Sequence, residues 1–147
     1  MKMKALLFFG LVAALVLPTS LSLAANTKDS YYAAYFTMSV KAYETGYRKK
    51  ENTSKVYMRI DKNTASGGAH VTVWGAHNDA GSGTSDVTVN SPVVFKKGEI
   101  GKFSLSNNVR ELGFRYCELY LVVRGAFGGE ISGVWSPDST RNYTVKN

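Results

Sequence analysis

The sequence predicts an all-β fold, an antiparallel β-sandwich of about seven short strands, with a small barrel as the alternative. Apolar and polar residues alternate with a period of two in several short segments, and turns rich in Gly, Asn and Ser separate them. Beyond the first 25 residues, no apolar pattern with helical period exceeds two turns. The chain of 147 residues is 44% hydrophobic, which suits the core of one domain. Its single cysteine, Cys117, excludes a framework of internal disulfide bonds.

The amino-terminal segment has the three-part layout of a secretory signal peptide. Two lysines precede an unbroken apolar run, Ala5–Leu17, and small and polar residues follow it. The run is shorter than the roughly 20 residues that a membrane-spanning helix needs, and cleavage is expected after Ala24 or Ala25. We therefore predict a signal peptide over residues 1–25 and a single all-β domain over residues 26–147, secreted without a covalent anchor and at most loosely associated with the envelope.

Three alternating segments make up the first half of the predicted fold. In Tyr31–Val40, every second residue from Tyr32 onward is apolar, so this strand has one buried side. Lys55–Asp61 and His70–Gly75 alternate in the same way. The intervening stretch Lys41–Ser54 is polar and charged, which predicts a long connection.

The second half contains the most apolar segment, Leu112–Ala126. Both of its faces are apolar, which is typical of a central strand, and Cys117 is expected in the core as a small hydrophobe. Glu118 interrupts one apolar face, and a salt bridge to a neighbouring arginine or a cross-strand lysine is expected. We also predict a hairpin turn at Lys97–Glu99 and a tight turn at Phe127–Gly129. The remaining predicted strands are Asp86–Asn90, Val93–Phe95, Ile100–Leu105, Glu130–Trp135 and an optional Arg141–Val145.

The residues show no pattern for catalysis or for metal or cofactor binding. His70 and His77 are the only available imidazole bases, and neither lies beside a nucleophile motif; both are expected to face solvent. The acids near the central strands have no spacing that predicts a converging catalytic pair. Zinc and calcium spacings and phosphate-binding glycine loops are absent from the sequence. We predict no catalytic residues, no metal ligands and no cofactor, and therefore a protein that is not an enzyme.

The candidate binding surface consists of Tyr43, Tyr47, Arg48, Lys49 and Lys50. Exposed tyrosines beside cations can stack on sugar rings, pack on another protein or lie at a membrane interface. Without its first 25 residues the chain keeps 16 Lys+Arg against 11 Asp+Glu, a net charge of +5, which favours anionic partners. For a secreted protein we expect an anionic cell-wall polymer, a glycan or a membrane surface as the partner, and no nucleic acid.

Two classes of function fit these observations. The first is a non-enzymatic binding or interaction module at the bacterial envelope. The second is a bacteriocin-like antimicrobial protein, which the signal peptide, the basic charge and the small size suggest. A carbohydrate-binding sandwich is a special case of the first class, for which Tyr31, Tyr35 and Tyr57 would line up on one exposed sheet face.

Several short segments resemble a small secreted domain family of unknown function from Gram-positive bacteria. They are Tyr43–Arg48 with the strand that follows it, Lys97–Phe103, Val122–Ala126 and Ile131–Asp138. The resemblance implies a single-domain extracellular protein that carries a signal peptide and has no assigned catalytic residues. The sequence departs from the family in Cys117 and in the apolar run LYLVV.

Overall fold

The structure, a computed structural model, describes residues 25–125 and 128–147. Eleven strands in these ranges form two sheets that enclose one core. The predicted all-β sandwich is therefore confirmed, and in the described part of the chain neither sheet closes into a barrel. The described residues form no helix, and so none that is long and apolar enough to cross a membrane. The predicted signal peptide, except Ala25, lies outside these ranges.

The first sheet has five strands. They are β1 (Ser30–Phe36), β4 (Val56–Asn63), β8 (Gly101–Leu105), β10 (Gly129–Ser136) and β11 (Thr144–Lys146). Their order is β1-β10-β4-β8-β11, and only the pair of β11 with β8 is parallel. A β-bulge at Ser132 and Gly133 interrupts the β10–β4 ladder. A Cβ atom on Gly133 would lie 1.9 Å from the carbonyl oxygen of Arg59, so the two backbones approach closely only because this residue is glycine.

The second sheet is built around one central strand. Its members are β2 (Ala42–Glu44), β3 (Arg48–Lys49), β5 (Ala69–Ala76), β6 (Ser85–Asp86), β7 (Val93–Phe95) and β9 (Tyr116–Val123). β9 pairs with β2 and β3 on one side and with β5 on the other. β6 and β7 pair with the far edge of β5. The central position predicted from the apolar Leu112–Ala126 segment is therefore correct, although the strand itself is shorter.

The inner faces of the two sheets form the core. The predicted alternation holds where it was clearest: Tyr32, Ala34 and Phe36 of β1 are buried. Cys117 is fully buried among the core residues of β9, as expected for a small hydrophobe. Trp135 of β10 is the largest fully buried side chain. These residues bury apolar surface from both sheets, which is the main stabilising contribution in such a fold.

The first predicted strand ends earlier than its pattern suggests. Met38 and Val40 are exposed rather than buried. Thr37 starts a turn: its hydroxyl accepts a hydrogen bond from the Val40 amide at 3.0 Å, and its own amide donates to the Val40 carbonyl at 2.9 Å. This local bonding removes the last residues from the ladder.

The predicted long connection Lys41–Ser54 is wrong, because it contains β2 and β3. Both are very short and pair with β9. Backbone groups make these pairs whatever the side chains are, so a charged sequence can form an edge strand. The strand predicted at Asp86–Asn90 is reduced to Ser85–Asp86, with one isolated bridge from Thr88.

Two predicted turns connect different sheets. β7 belongs to the second sheet and β8 to the first, so the Lys97–Glu99 turn does not close a hairpin ladder. β9 and β10 likewise lie in different sheets, and Phe127 of the predicted tight turn lies outside the described residues. Turn residues occur both in hairpins and in connections that cross from one sheet of a sandwich to the other. The sequence pattern therefore could not show that these strands pair with other partners.

Candidate binding groove

The outer face of the second sheet carries a groove centred on two aromatic rings. Trp74 of β5 and Tyr120 of β9 have ring centroids 5.6 Å apart. Both side chains point to the outer face of neighbouring strands. Thr72 lies directly opposite Tyr120, so Trp74, two residues further along β5, is a diagonal neighbour of Tyr120 on that face. Cavities of about 340 Å³ and about 260 Å³ lie on this face, and Trp74 and Tyr120 line both. We call the two cavities together the aromatic groove.

The larger cavity has an acidic wall formed by Glu44 and Glu118. Glu118 is only 4% exposed, and burial raises the pKa of its carboxyl, with the nearby charge of Glu44 adding to the effect. The Tyr47 hydroxyl and the Gly46 amide donate hydrogen bonds to Glu118, which partly offset the rise in its pKa. The expected salt bridge from Glu118 to an arginine or lysine is therefore replaced by a tyrosine contact.

Tyr47 packs against Gly81, and this contact positions its ring at the acidic wall. Gly81 has φ +76°, and a Cβ atom there would lie 2.7 Å from Cε2 of the Tyr47 ring. The ring thus packs directly on the backbone of the loop after β5. Burial is the larger cause that raises the pKa of Tyr47, and the hydrogen bond to Glu118 is the second. Tyr47 therefore remains a neutral hydrogen-bond donor that orients Glu118.

The rim of the smaller cavity includes three titratable side chains, His70, Asp86 and Arg124. Asp86 accepts hydrogen bonds from the amide and hydroxyl of Thr88, at 2.9 and 2.7 Å, and from the Ser91 hydroxyl. Burial, with the charge of Arg124, lowers the pKa of His70, and its Nδ1 is buried without a hydrogen-bond partner in the described chain. His70 is half-buried in the groove rather than facing solvent as predicted.

The other histidine lies outside this groove. His77 is exposed, as predicted, and its ring lies 4.9 Å from the ring of Phe114. Among the described residues no three His, Cys, Asp or Glu side chains are grouped closely enough to hold a metal ion.

The predicted cationic surface is divided by strand alternation. Lys49 is exposed and forms a salt bridge of 2.9 Å with Glu51. Lys50 is fully buried, which contradicts its assignment to a binding surface. Its Nζ donates to the Ser54 carbonyl at 2.6 Å, the Pro137 carbonyl at 2.7 Å and Oδ1 of Asp138 at 3.0 Å. Lys50 directly follows β3, and its amide donates to the Arg115 carbonyl at 2.8 Å. Side chains alternate along an extended backbone, so Lys50 points inward where Lys49 points outward.

Arg48 and Tyr43 also face the fold rather than a partner. The Arg48 guanidinium lies 5.3 Å from the centroid of the Trp135 ring and donates to the Trp135 carbonyl at 3.2 Å and the Lys28 carbonyl at 2.7 Å. Tyr43 is half-buried and packs against the core. Of the five predicted residues, only Tyr47 lines the groove, and only Lys49 keeps an exposed charge.

The tyrosines expected on a carbohydrate-binding face lie on the other sheet. Tyr31 and Tyr35 of β1 are 71% and 64% exposed. Tyr57 is only 8% exposed, because the ring of Tyr143 covers it at a centroid distance of 4.8 Å. The three rings therefore do not form one exposed row.

A polar cavity of about 510 Å³ lies beside Tyr57, and its cations already have partners. Arg59 makes two hydrogen bonds to Asp61, at 2.8 and 3.0 Å, and Lys102 lies 6.0 Å from the centroid of the Tyr143 ring. In this cavity the ring of Tyr143 packs on that of Tyr57, so the two rings are partners of each other.

Sequence reasoning missed Glu44 and the pairing of Trp74 with Tyr120. The signal for the two rings was present in the alternation, since Trp74 lies on the face opposite to Val71 and Val73 of its strand, and Tyr120 lies on one face of the central strand. Their meeting depends on the register between β5 and β9, which no local pattern specifies. Glu44 was assigned to a connection, so its position opposite Tyr120 was not foreseen.

Comparison with known proteins assigns the chain to a family without giving it an activity. Residues 20–139 match the family model described as "Protein of unknown function (DUF2712)", and the chain belongs to this family. No curated protein and no solved structure matches the chain significantly. The resemblance to a domain family of unknown function is therefore confirmed at the level of the family.

Proposed function

We propose that this protein is a secreted, non-enzymatic module that binds a neutral glycan of the bacterial envelope in the aromatic groove. The observation that carries the proposal is the position of Trp74 and Tyr120, whose rings line both cavities on an open sheet face. Aromatic rings offer apolar surface to the faces of sugar rings, and nearby polar side chains bond to sugar hydroxyls.

The charges in the groove favour a neutral glycan over an anionic polymer. Glu44, Glu118 and Asp86 line it, and Arg124 is its only arginine or lysine among the lining residues. Carboxylates accept hydrogen bonds from hydroxyl groups and repel phosphate or carboxylate groups of a polymer. The net positive charge of the chain therefore lies outside the proposed site.

The arrangement of the carboxylates supports binding without hydrolysis. Glu118 is held by the Tyr47 hydroxyl, and Asp86 by Thr88 and Ser91. A glycosidase needs one carboxyl free to protonate the leaving oxygen and a second facing it across the bond. Bound in this way, Glu118 and Asp86 serve as fixed hydrogen-bond acceptors.

A substitution of Trp74 tests the proposal. The main probe is insoluble chitin, a neutral glycan of N-acetylglucosamine, and cell walls that keep their anionic polymers are the second probe. Bound protein is measured at low and high salt. We expect the unchanged protein to bind at both salt concentrations, since stacking is not screened. We expect Trp74→Ala to weaken binding about tenfold or more, the effect of losing an aromatic contact worth about 1.4 kcal/mol.

The matched control is the double variant Tyr31→Ala, Tyr35→Ala, which removes two exposed rings from the opposite sheet. It is expected to bind like the unchanged protein, and thermal unfolding verifies that each variant is folded. Loss of binding in this control with retention in Trp74→Ala would refute the groove as the site. Binding only to walls that keep their anionic polymer, and only at low salt, would instead favour a charge-based partner.

A further inference from the structure

The residue that follows the predicted cleavage region is bound at every polar atom. The amide nitrogen of Asn26 donates to Oδ2 of Asp138 at 2.7 Å, and its carbonyl accepts from the Asp138 amide at 3.3 Å. Its side-chain nitrogen donates to the Lys49 carbonyl at 2.7 Å, and its side-chain oxygen accepts from Arg48 at 3.3 Å. A residue held in this way has one position relative to the fold, unlike most residues near a chain end.

Asp138 is a fully buried carboxylate that accepts hydrogen bonds from two segments, Asn26 and Lys50–Ser54. Lys50 donates to its Oδ1 at 3.0 Å, and the Glu51 amide donates to its Oδ2 at 2.9 Å. Burial alone would raise the pKa of Asp138, but the charge of Lys50 and the amide hydrogen bonds outweigh it, and the pKa lies below its usual range. Asp138 is therefore ionised and aims one oxygen at the nitrogen of Asn26.

We propose that signal peptidase cuts between Ala25 and Asn26 and that the new α-ammonium group of Asn26 forms an ion pair with Asp138. The peptidase uses water to break the amide bond: Ala25 leaves with the new carboxylate, and Asn26 keeps the nitrogen as an amine that takes a proton at neutral pH. The inference rests on the secretion included in the proposed function. The inference selects cleavage after Ala25 over cleavage after Ala24, the two positions that the sequence allows.

The geometry favours this position over cleavage after Ala24. The nitrogen that would become the ammonium already lies 2.7 Å from Oδ2, the usual length of a charge-assisted hydrogen bond. Cleavage one residue earlier would leave an uncharged amide at Asn26 and move the ammonium about 3.8 Å along the chain. Signal removal after Ala25 thus completes the Asp138 cluster without moving the backbone.

The neighbouring charges permit a second cation at Asp138. Lys50 occupies Oδ1, which leaves Oδ2 to the ammonium and the Glu51 amide. The Glu51 carboxylate is paired with Lys49. The Arg48 guanidinium contacts the side chain of Asn26 and lies near the charge of Asp29.

The ion pair makes stability depend on the charge of the chain end. A free α-amine has a pKa of about 7.7–8.0, and a carboxylate partner raises that value in the folded state. The ion pair therefore contributes fully below the free pKa and is lost as the pH rises through the folded pKa.

The test compares two forms of the domain, which contains every described strand: one that begins at Asn26, and one that begins at Ala25. Near neutral pH we expect the unfolding equilibrium constant of the first to be about tenfold or more lower, as for a hydrogen bond between charged groups. We expect the difference to disappear as the pH rises above the raised pKa that the α-amine has in the folded protein. Asp138→Asn is expected to abolish it, whereas Asp29→Asn, which changes an exposed acid near the same end, is expected to preserve it.

Sequencing the amino terminus of protein secreted from the full chain separates failure of this inference from failure of the proposed secretion. A terminus at Asn26 supports the inference. Secretion with any other terminus overturns it and leaves secretion standing, and a chain that is not cleaved or exported overturns both. Equal stability of the two forms at all pH values overturns the ion pair, even if Asp138→Asn fails to fold.

Discussion

At the residue scale, two adjacent lysines show how strand geometry assigns different roles to the same side chain. Lys49 keeps 56% of its side chain exposed and pairs with Glu51, whereas Lys50 has no exposed surface and pairs with Asp138. A surface pair contributes little because water and salt screen it. Removing one partner of a buried pair leaves an uncompensated charge in the core, which is costly.

We expect Lys50→Ala to lower the free energy of unfolding by about 3–5 kcal/mol, because it removes the fully buried cation that lies 3.0 Å from the buried Asp138 carboxylate. The matched control Lys49→Ala removes the neighbouring lysine and is expected to cost no more than about 1 kcal/mol. Urea unfolding of both variants measures the difference. Similar losses for the two lysines would show that Lys50 is not the buried partner of Asp138.

The residues in the core were predictable from alternation, and those of the groove only in part. The pattern identified Tyr32, Ala34 and Phe36 as buried because one face of a strand must meet the core. Lys50 was assigned to the surface because lysines are rarely buried without a partner, and its partner lies 88 residues further along the chain. No local signal reports a contact of that separation.

At the element scale, β11 closes one edge of the first sheet. It pairs in parallel with β8, and Lys146 at its end forms a salt bridge of 2.5 Å with Glu99. The Lys146 ammonium also lies 5.4 Å from the centroid of the Phe95 ring and 5.7 Å from that of Phe103. The strand thus covers backbone groups of β8 that would otherwise be an open edge.

Deleting residues 144–147 is expected to lower Tm by several degrees, at about 4–8 °C for each kcal/mol lost in a small domain. It is also expected to cause association that increases with protein concentration, because the edge of β8 becomes available to another chain. Calorimetry and light scattering measure the two effects. Lys146→Ala keeps the strand and is expected to lower Tm without association; association of that variant would show that the ion pair, not the strand, protects the edge.

The longer strands were predictable, and two of the shortest were not. β4, β5 and β9 each have eight residues, enough for a period of two to be visible. β2 and β3 have three and two residues, which is too short for a period, and they form because β9 offers unpaired backbone groups, a property of the assembled sheet. The predicted strand Val93–Phe95 is confirmed as β7, and β11 overlaps the optional strand predicted at Arg141–Val145.

At the scale of the whole molecule, Cys117 lies between the sheets and reports on the integrity of the core. It is a free cysteine with no exposed surface, and burial raises the pKa of its thiol to about 12. The thiolate is the reactive form, so both access and ionisation protect the native side chain.

We expect a soluble thiol reagent at neutral pH to modify Cys117 only through unfolding. The labelling rate is then expected to follow the equilibrium between folded and unfolded protein measured in urea. Fully unfolded protein is the control and is expected to react at once. Rapid labelling in the absence of denaturant, independent of global stability, would instead indicate local opening beside β9.

The pairing of the first strand has a kinetic consequence. β1 joins its sheet through β10, so the first strand finds its ladder partner only near the end of the chain. Contacts of such high sequence separation make folding slow, because a long loop must close before they form. A chain exported amino end first would carry β1 across the membrane before its partner strand β10 is available. The first sheet could not yet be complete, so export would not require a folded domain to unfold.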